Sequence, residues 1–307
     1  MPPWMDGIAF TLAEGRQVGL TYGRMRHLRF ARPFRGVRVI GTSGRIDGGL
    51  IDRCADLRVA LPADAVFSHV TAARLWRMPL PARLADELHV LVAGAVPVRR
   101  TGVIGWTRGD LPPLSVTHAL PVTAPADTWA MLAAMSAERG GALSREWLVA
   151  IADFLISGRR TKYGREPALA TRQELEAAVA RHGSRRGATK LAWAIERVRT
   201  PVDSPRETLL RLGLVRARLP EPAVQPPVMT AAGKRHPDLG YLRERVLLKY
   251  LGDVHRVDPK SWRADLTRVQ LFEDAGFRVI LVGADDLKPD GLRGLTQRVR
   301  RALRRGR

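Results

Sequence analysis

Asp238, Lys249 and His255 fall within one short stretch, HPDLGYLRERVLLKYLGDVHR (236–256), and Glu207 stands in the helix-like segment before it. A carboxylate is a hard oxygen ligand that can help to hold a divalent cation. A histidine, a residue type whose ordinary pKa lies near neutrality, follows the strand-like run. Lys249 sits between the two. An ammonium cannot ligate a cation, and across a few ångströms it repels one by on the order of 1–4 kcal/mol, depending on screening. Residues 249 and 251 share one face of a strand, so Leu251 offers no oxygen beside it.

The elements that must position these residues are legible around them. SPRETLLRLGLVRARLPEP (204–222) reads as a helix capped by Ser204, with Pro205 at its first position and Glu207 at its third. Glu207 therefore has a sufficient structural role as a capping-box acid. AVQPPVMTAAGKRHPDLGYL (223–242) reads as a hairpin with a turn at Ala231–Gly233 and a strand beginning at Asp238. RVLLKYLG (245–252) reads as a buried strand ended by Gly252, PKSWRADLTRVQLFEDAG (259–276) as a helix stopped by Gly276, and FRVILVGADDL as a further buried strand. The order predicts a mixed α/β core.

Four regions are expected: a basic unit over 1–45, an α/β unit over 46–135, a helical connector over 136–200, and a last unit over 201–307. In the first, LTYGRMRHLRF (20–30) predicts a helix capped by Thr21, and ARPFRGVRVI (31–40) a turn and strand, the order of a winged helix-turn-helix. Eight arginines and no acid lie from Arg16 to Arg45. Arg24, Arg26, Arg29, Arg32, Arg35 and Arg38, with Lys249 and Arg256, are the expected contacts to a phosphate backbone; the alternative is a solvated face on a capping subdomain. In the second region a helix after DAVFS is capped by Ser68 or Thr71, and TAPADTWAMLAAM begins a helix capped by Thr123 or Asp127. His69, His89 and His118 match no metal spacing and read as core or solvated histidines. SGRRTKYGREPA (157–168) reads as a loop. The tail LRGLTQRVRRALRRGR, with Leu292, Leu295, Val299 and Leu303 at helical spacing, predicts an amphipathic helix with an arginine-rich outer face.

Composition agrees with a polyanionic partner. Lys and Arg number 51 against 30 Asp and Glu, a net charge of +21, and neutralised phosphates release counterions. The excess of Arg over Lys, with abundant Ala, Gly and Pro, is also what GC-rich coding produces, leaving open a protein partner without nucleic acid. Cys54 alone allows no internal disulfide and suits a reducing cytoplasm. The longest apolar run, LHVLVAGAVPV (88–98), is too short to span a bilayer, and MPPWMDGIAF lacks the pattern of a signal peptide. The expectation is a cytoplasmic protein with no membrane partner.

Residues 203–287 resemble the actinobacterial nuclease-like domain related to very-short-patch repair (Vsr) endonucleases, a branch of the PD-(D/E)XK superfamily. The resemblance is carried by DSPRETLLRLGLVRARLPEP, KRHPDL, GDVHR, WRADLTRVQLFEDAGFRVI and ADDL. RPFRGVRV, AVFSHVTAARLWRMPLP, ELHVLV and HALPVTAP resemble AbiEi-type antitoxins of toxin–antitoxin systems. The resemblance implies an α+β chain: a winged-helix-like unit and small α/β domain, then a restriction-endonuclease-like mixed sheet flanked by helices. It places the family's first-helix acid at Glu207 and its Pro-Asp aspartate at Asp238. The family's Glu-Tyr-Asp-Gly falls on Lys249-Tyr250-Leu251-Gly252, its histidine on His255, and a Trp and Asp of the next helix on Trp262 and Asp265. Two acids are thus replaced.

Two routes to catalysis remain within the resemblance. Asp238, the Tyr250 carbonyl and His255 resemble the Vsr arrangement, with Asp238 as the metal ligand; alternatively Lys249 takes the part of the superfamily's lysine. The expectation is a DNA-binding protein with a degenerate nuclease fold, a regulator or antitoxin-like factor needing no cofactor, with Lys249 contacting phosphate. The alternatives are a Mg²⁺-dependent endonuclease acting through Glu207, Asp238, His255 and Lys249, or an antitoxin whose partner is a cognate toxin rather than DNA.

Overall fold

The computed structural model describes residues 6–27, 29–41, 49–84, 86–137, 141–161, 163–251 and 259–306, with only the backbone for 259–265. The chain is α+β and divides into two compact units, Met1–Leu143 with Gln173–Leu191, and Ser144–Arg172 with Ala192–Arg307. The segment 136–200, expected as a connector, is shared between them. No described helix is long and apolar enough to cross a membrane.

The first unit opens with β1 (Ala9–Thr11), α1 (Leu12–Gln17), α2 (Tyr22–Met25), β2 (Phe30–Ala31) and β3 (Val37–Ile40), the strands in the antiparallel order β1-β3-β2. Thr11 accepts from the amide of Glu14 while the Glu14 carboxylate accepts from that of Thr11, a reciprocal cap that starts α1. Thr21 caps α2 as its type predicts, but α2 is a single turn. Phe10, Leu20, Met25 and Phe30 form the small core here. A Cβ on Gly15 would stand 2.5 Å from the Met25 sulfur, so this packing requires glycine.

The unit continues with α3 (Leu50–Arg58), β4 (Val66–Phe67), α4 (His69–Leu75), β5 (Leu88–Ala93), β6 (Val103–Arg108), β7 (Leu114–Thr117), β8 (Leu120–Thr123) and α5 (Pro125–Leu132). The five strands are ordered β6-β5-β4-β8-β7, with the β5–β6 and β4–β8 pairs parallel. Ser68 is the N-cap residue of α4. The cap of α5 corrects the expectation: Ala124 holds the N-cap, with Pro125 next. Thr123 instead bonds the hydroxyl of Thr128 at 2.6 Å, and Asp127 accepts a two-pronged bond from Arg181.

The second unit contains α6 (Arg145–Ser157), capped by Ser144, and a small hairpin of β9 (Arg160–Thr161) and β10 (Gly164–Arg165) inside the expected loop. Helices α7 (Arg172–His182) and α8 (Ala188–Ile195) follow in the chain, α7 lying largely in the first unit. Then come α9 (Pro205–Arg216), β11 (Ala223–Val224), β12 (Val228–Thr230), β13 (Gly233–Arg235), β14 (Leu239–Tyr241), β15 (Val246–Tyr250), α10 (Pro259–Asp274), β16 (Arg278–Val282) and α11 (Pro289–Arg305). The main sheet runs β11-β14-β15-β16, antiparallel except for β15 and β16, which are parallel across α10.

Strand alternation sorts the core of this unit. Val246 and Leu248 turn to one face, packing with Leu210 and Leu214 of α9 and Leu295, Val299 and Leu303 of α11. Leu247 turns to the other, against Val228 and Phe272. The buried positions of α11 match the spacing expected for the tail helix.

Candidate functional site

Asp238 and Lys249 meet because of strand register. In the β14–β15 pair Leu239 faces Leu248 and Tyr241 faces Val246, which puts Asp238 opposite Lys249, one step beyond the ladder, on the face opposite Leu248. The Lys249 Nζ donates to Asp238 Oδ1 at 2.9 Å, and the Tyr250 amide donates to Oδ2 at 2.6 Å. Both carboxylate oxygens are thereby engaged. The aspartate is buried, and the lysine side chain is 20% exposed.

Glu207 lies in the first turn of α9, where Ser204 caps the helix through the Glu207 amide, but the expected reciprocal box is not made: the Glu207 carboxyl takes the Asp203 amide and not that of Ser204. The Ser204 hydroxyl donates to its Oε1 at 2.9 Å, the Asp203 amide to its Oε2 at 3.2 Å, and the Gln225 side-chain amide to Oε2 at 3.4 Å. Gln225 also ties the site to its strand: its amide donates to the Asp238 carbonyl at 3.0 Å, and its own carbonyl is bonded by His236 Nδ1 at 2.9 Å. Its φ of 43° lies in the left-handed region. Sequence reasoning passed over this glutamine. Its signal was its place before Pro226-Pro227, where the chain turns from β11 toward β12.

The two carboxyls do not ionise alike. Burial, then the nearby charge of Asp238, pushes Glu207 up to about 8. Burial also raises Asp238, while Lys249 and the Tyr250 amide pull it back down. The negative charge is best placed on Asp238 beside the ammonium, with the proton on Glu207. Glu207 is more basic folded than unfolded, so stability declines as pH rises from about 4.5 toward 8. Glu207→Gln removes that decline. Urea unfolding is expected to show the variant close to wild type at pH 5 and more stable by roughly 2–4 kcal/mol at pH 9; an unchanged pH slope would contradict it.

A divalent cation does not fit these residues. The oxygens of Asp238 are taken by two donors, one of them a cation, and those of Glu207 by Ser204, Asp203 and Gln225. Among the described residues no group of three His, Cys, Asp or Glu is placed to hold a metal. Leu251 brings its backbone rather than a ligand, its amide donating to the Val282 carbonyl at 2.8 Å. His255 and Arg256 lie outside the described residues, as do the side chains of Trp262 and Asp265.

The first unit places the other expected contacts. Arg24, Arg26, Arg29, Arg32 and Arg35 are exposed. Arg32 donates to the Arg26 carbonyl at 2.5 Å, and Arg26 and Arg29 lie over the rings of Tyr22 and Phe30. Arg38 is the correction. It is 7% exposed, and its guanidinium donates to the carbonyls of Met25 and Val37, both at 2.8 Å. It closes the end of α2 onto β3 and is not presented to a ligand.

His69 and His89, expected as core or solvated histidines, are neighbours in this unit. The His69 ring stacks on Trp106 at 3.9 Å, and the Trp106 indole N–H donates to His89 Nδ1 at 3.0 Å. His89 is fully buried and pushed down to about 4 by burial, so it is a neutral core histidine. His118 stands exposed in the β7–β8 turn, where it and Ala119 both adopt positive φ. No family model, no curated protein and no solved structure matches the chain.

Proposed function

We propose that the chain binds DNA without cutting it, as a regulator or antitoxin-like factor whose second unit has a degenerate nuclease fold. The observation that carries this reading is the ion pair of Asp238 with Lys249. It puts a protein cation at the position where the resemblance would place a metal. A helix, an antiparallel strand pair, a second helix and a parallel strand surround that pair, the order read from the residues of this segment. The remaining polar groups are held by neighbouring chain: the Glu207 carboxyl by Ser204, Asp203 and Gln225, with Gln225 tying it to the segment that bears Asp238.

Lys249 spends its charge on Asp238, so the phosphate contacts fall to exposed arginines. Arg24, Arg26, Arg29, Arg32 and Arg35 crowd one short segment without an intervening acid. Such a set holds a phosphate backbone with little dependence on base sequence.

The test is retardation of plasmid DNA over a salt series. Binding is expected to weaken steeply with salt, and Arg24→Ala/Arg26→Ala/Arg29→Ala to weaken it by about tenfold or more while lowering the log–log salt slope by about 2–3. No retardation at low salt, or a triple variant that binds like wild type, would sink the assignment. A metal-dependent endonuclease is the second reading, favoured only by the proximity of two carboxyls, Glu207 and Asp238.

A further inference from the structure

The β16 edge of the main sheet is open among the described residues, because β16 pairs with β15 alone. The Arg278 amide donates to the Arg245 carbonyl, and the Val282 carbonyl accepts from the Leu251 amide. Residues 278, 280 and 282 therefore turn their peptide groups toward β15, while Val279 and Leu281 turn theirs outward. No described residue bonds those outward groups. Beside them runs a cleft of about 400 Å³ lined by Arg278, Val279, Ile280 and Leu281 of β16 and by Arg298, Arg301 and Arg305 of α11. Arg298 pairs with Asp286 at 2.5 Å. Arg278, Arg301 and Arg305 are exposed and make no ion pair with a described residue.

We infer that this edge takes an extended acidic peptide as an added strand. The edge offers outward carbonyls as well as amides, so an occupant carrying both donors and acceptors matches it. A peptide strand supplies alternating donors and acceptors, whereas a phosphate backbone supplies acceptors only. Acidic side chains on the α11 side would meet Arg301 and Arg305. A second copy of this chain would bring the same arginines against themselves, so like charge disfavours self-pairing. The partner is thus a segment with acidic residues at alternate positions, bound by strand addition.

The probe is fluorescein-labelled acetyl-Asp-Val-Asp-Val-Asp-Val-Asp-Val-amide, titrated with the full chain and followed by anisotropy. Saturable binding is expected, weakened about tenfold or more by Arg301→Glu/Arg305→Glu, two exposed helix positions whose change leaves the core intact. Val279→Pro, which removes one outward amide without touching the β15 ladder, should weaken it about tenfold. Two N-methylated peptides complete the test, one carrying methyls on every Asp nitrogen and the other on every Val nitrogen. One should lose binding and the other keep it, since a one-residue slip would turn the acids away from α11. No binding overturns the inference. So does equal affinity for both methylated peptides, which would mark the cleft as a bare charge site suited to phosphate.

Discussion

Lys249→Met is expected to lower the free energy of unfolding by about 2–4 kcal/mol at pH 8 and by far less at pH 5. The lysine is the only cation bonded to Asp238 among the described residues, at 2.9 Å, and the aspartate is buried next to Glu207. Removing it leaves a buried carboxylate held by the Tyr250 amide alone. Asp238 would then escape its penalty by taking up a proton, so its folded pKa rises further above its unfolded value. A carboxyl raised in this way stabilises least at high pH, and the deficit therefore grows as pH rises. Asp238→Asn in the same background should recover part of the loss, because a neutral amide needs no counterion. Urea titrations of the two variants at both pH values measure it. A loss under about 0.5 kcal/mol, or one independent of pH, would mean that the ion pair is incidental.

Arg211→Met is expected to cost more, about 3–5 kcal/mol. The Arg211 side chain is 1% exposed and the Asp153 side chain fully buried, and they meet between α9 and α6 at 3.2 Å. Arg211 also donates to the Arg197 carbonyl and to Glu221, both at 2.8 Å. Asp153 in turn accepts from the Thr208 hydroxyl and the Arg199 amide, both at 2.7 Å. Burial pushes Asp153 up to about 6 even with the guanidinium beside it, so without that partner the carboxyl is neutral near pH 7. The chain at 197–199 and the two helices then lose their common anchor. Combining Asp153→Asn with Arg211→Met should cost well under the sum of the single changes, as for any pair sharing one contact. Simple additivity, or a loss below about 1 kcal/mol, would show that packing between the helices and not this network holds them.

The features legible in the sequence are those set by local chemistry. Ser204, Pro205 and Glu207 announce the start of α9 because a cap is made within four residues. The tail helix is announced by Leu295, Val299 and Leu303, since one helical period places them on one face. Asp238 and Lys249 were each recognisable, but their pairing depends on the register of β14 against β15, and a one-residue slip would separate them. Arg38 alternates with Val37 and Val39, which marks it as outward on β3. The Met25 carbonyl at the end of α2 covers that outward side, and no pattern within β3 reveals it. Arg211 and Asp153 are far apart in the chain, and each reads as an ordinary charged residue on its own helix. The division into two discontinuous units is hidden for the same reason: α7 packs with chain well before it, which sequence order does not display.

Supercoiled plasmid incubated with the full chain and Mn²⁺ or Mg²⁺ tests most directly whether Lys249 has replaced the metal. The plasmid should be retarded in low salt and remain supercoiled, with no nicked or linear product above the protein-free control. Metal-dependent nicking that Asp238→Ala abolishes would contradict the account, because Asp238 would then be holding a cation other than Lys249.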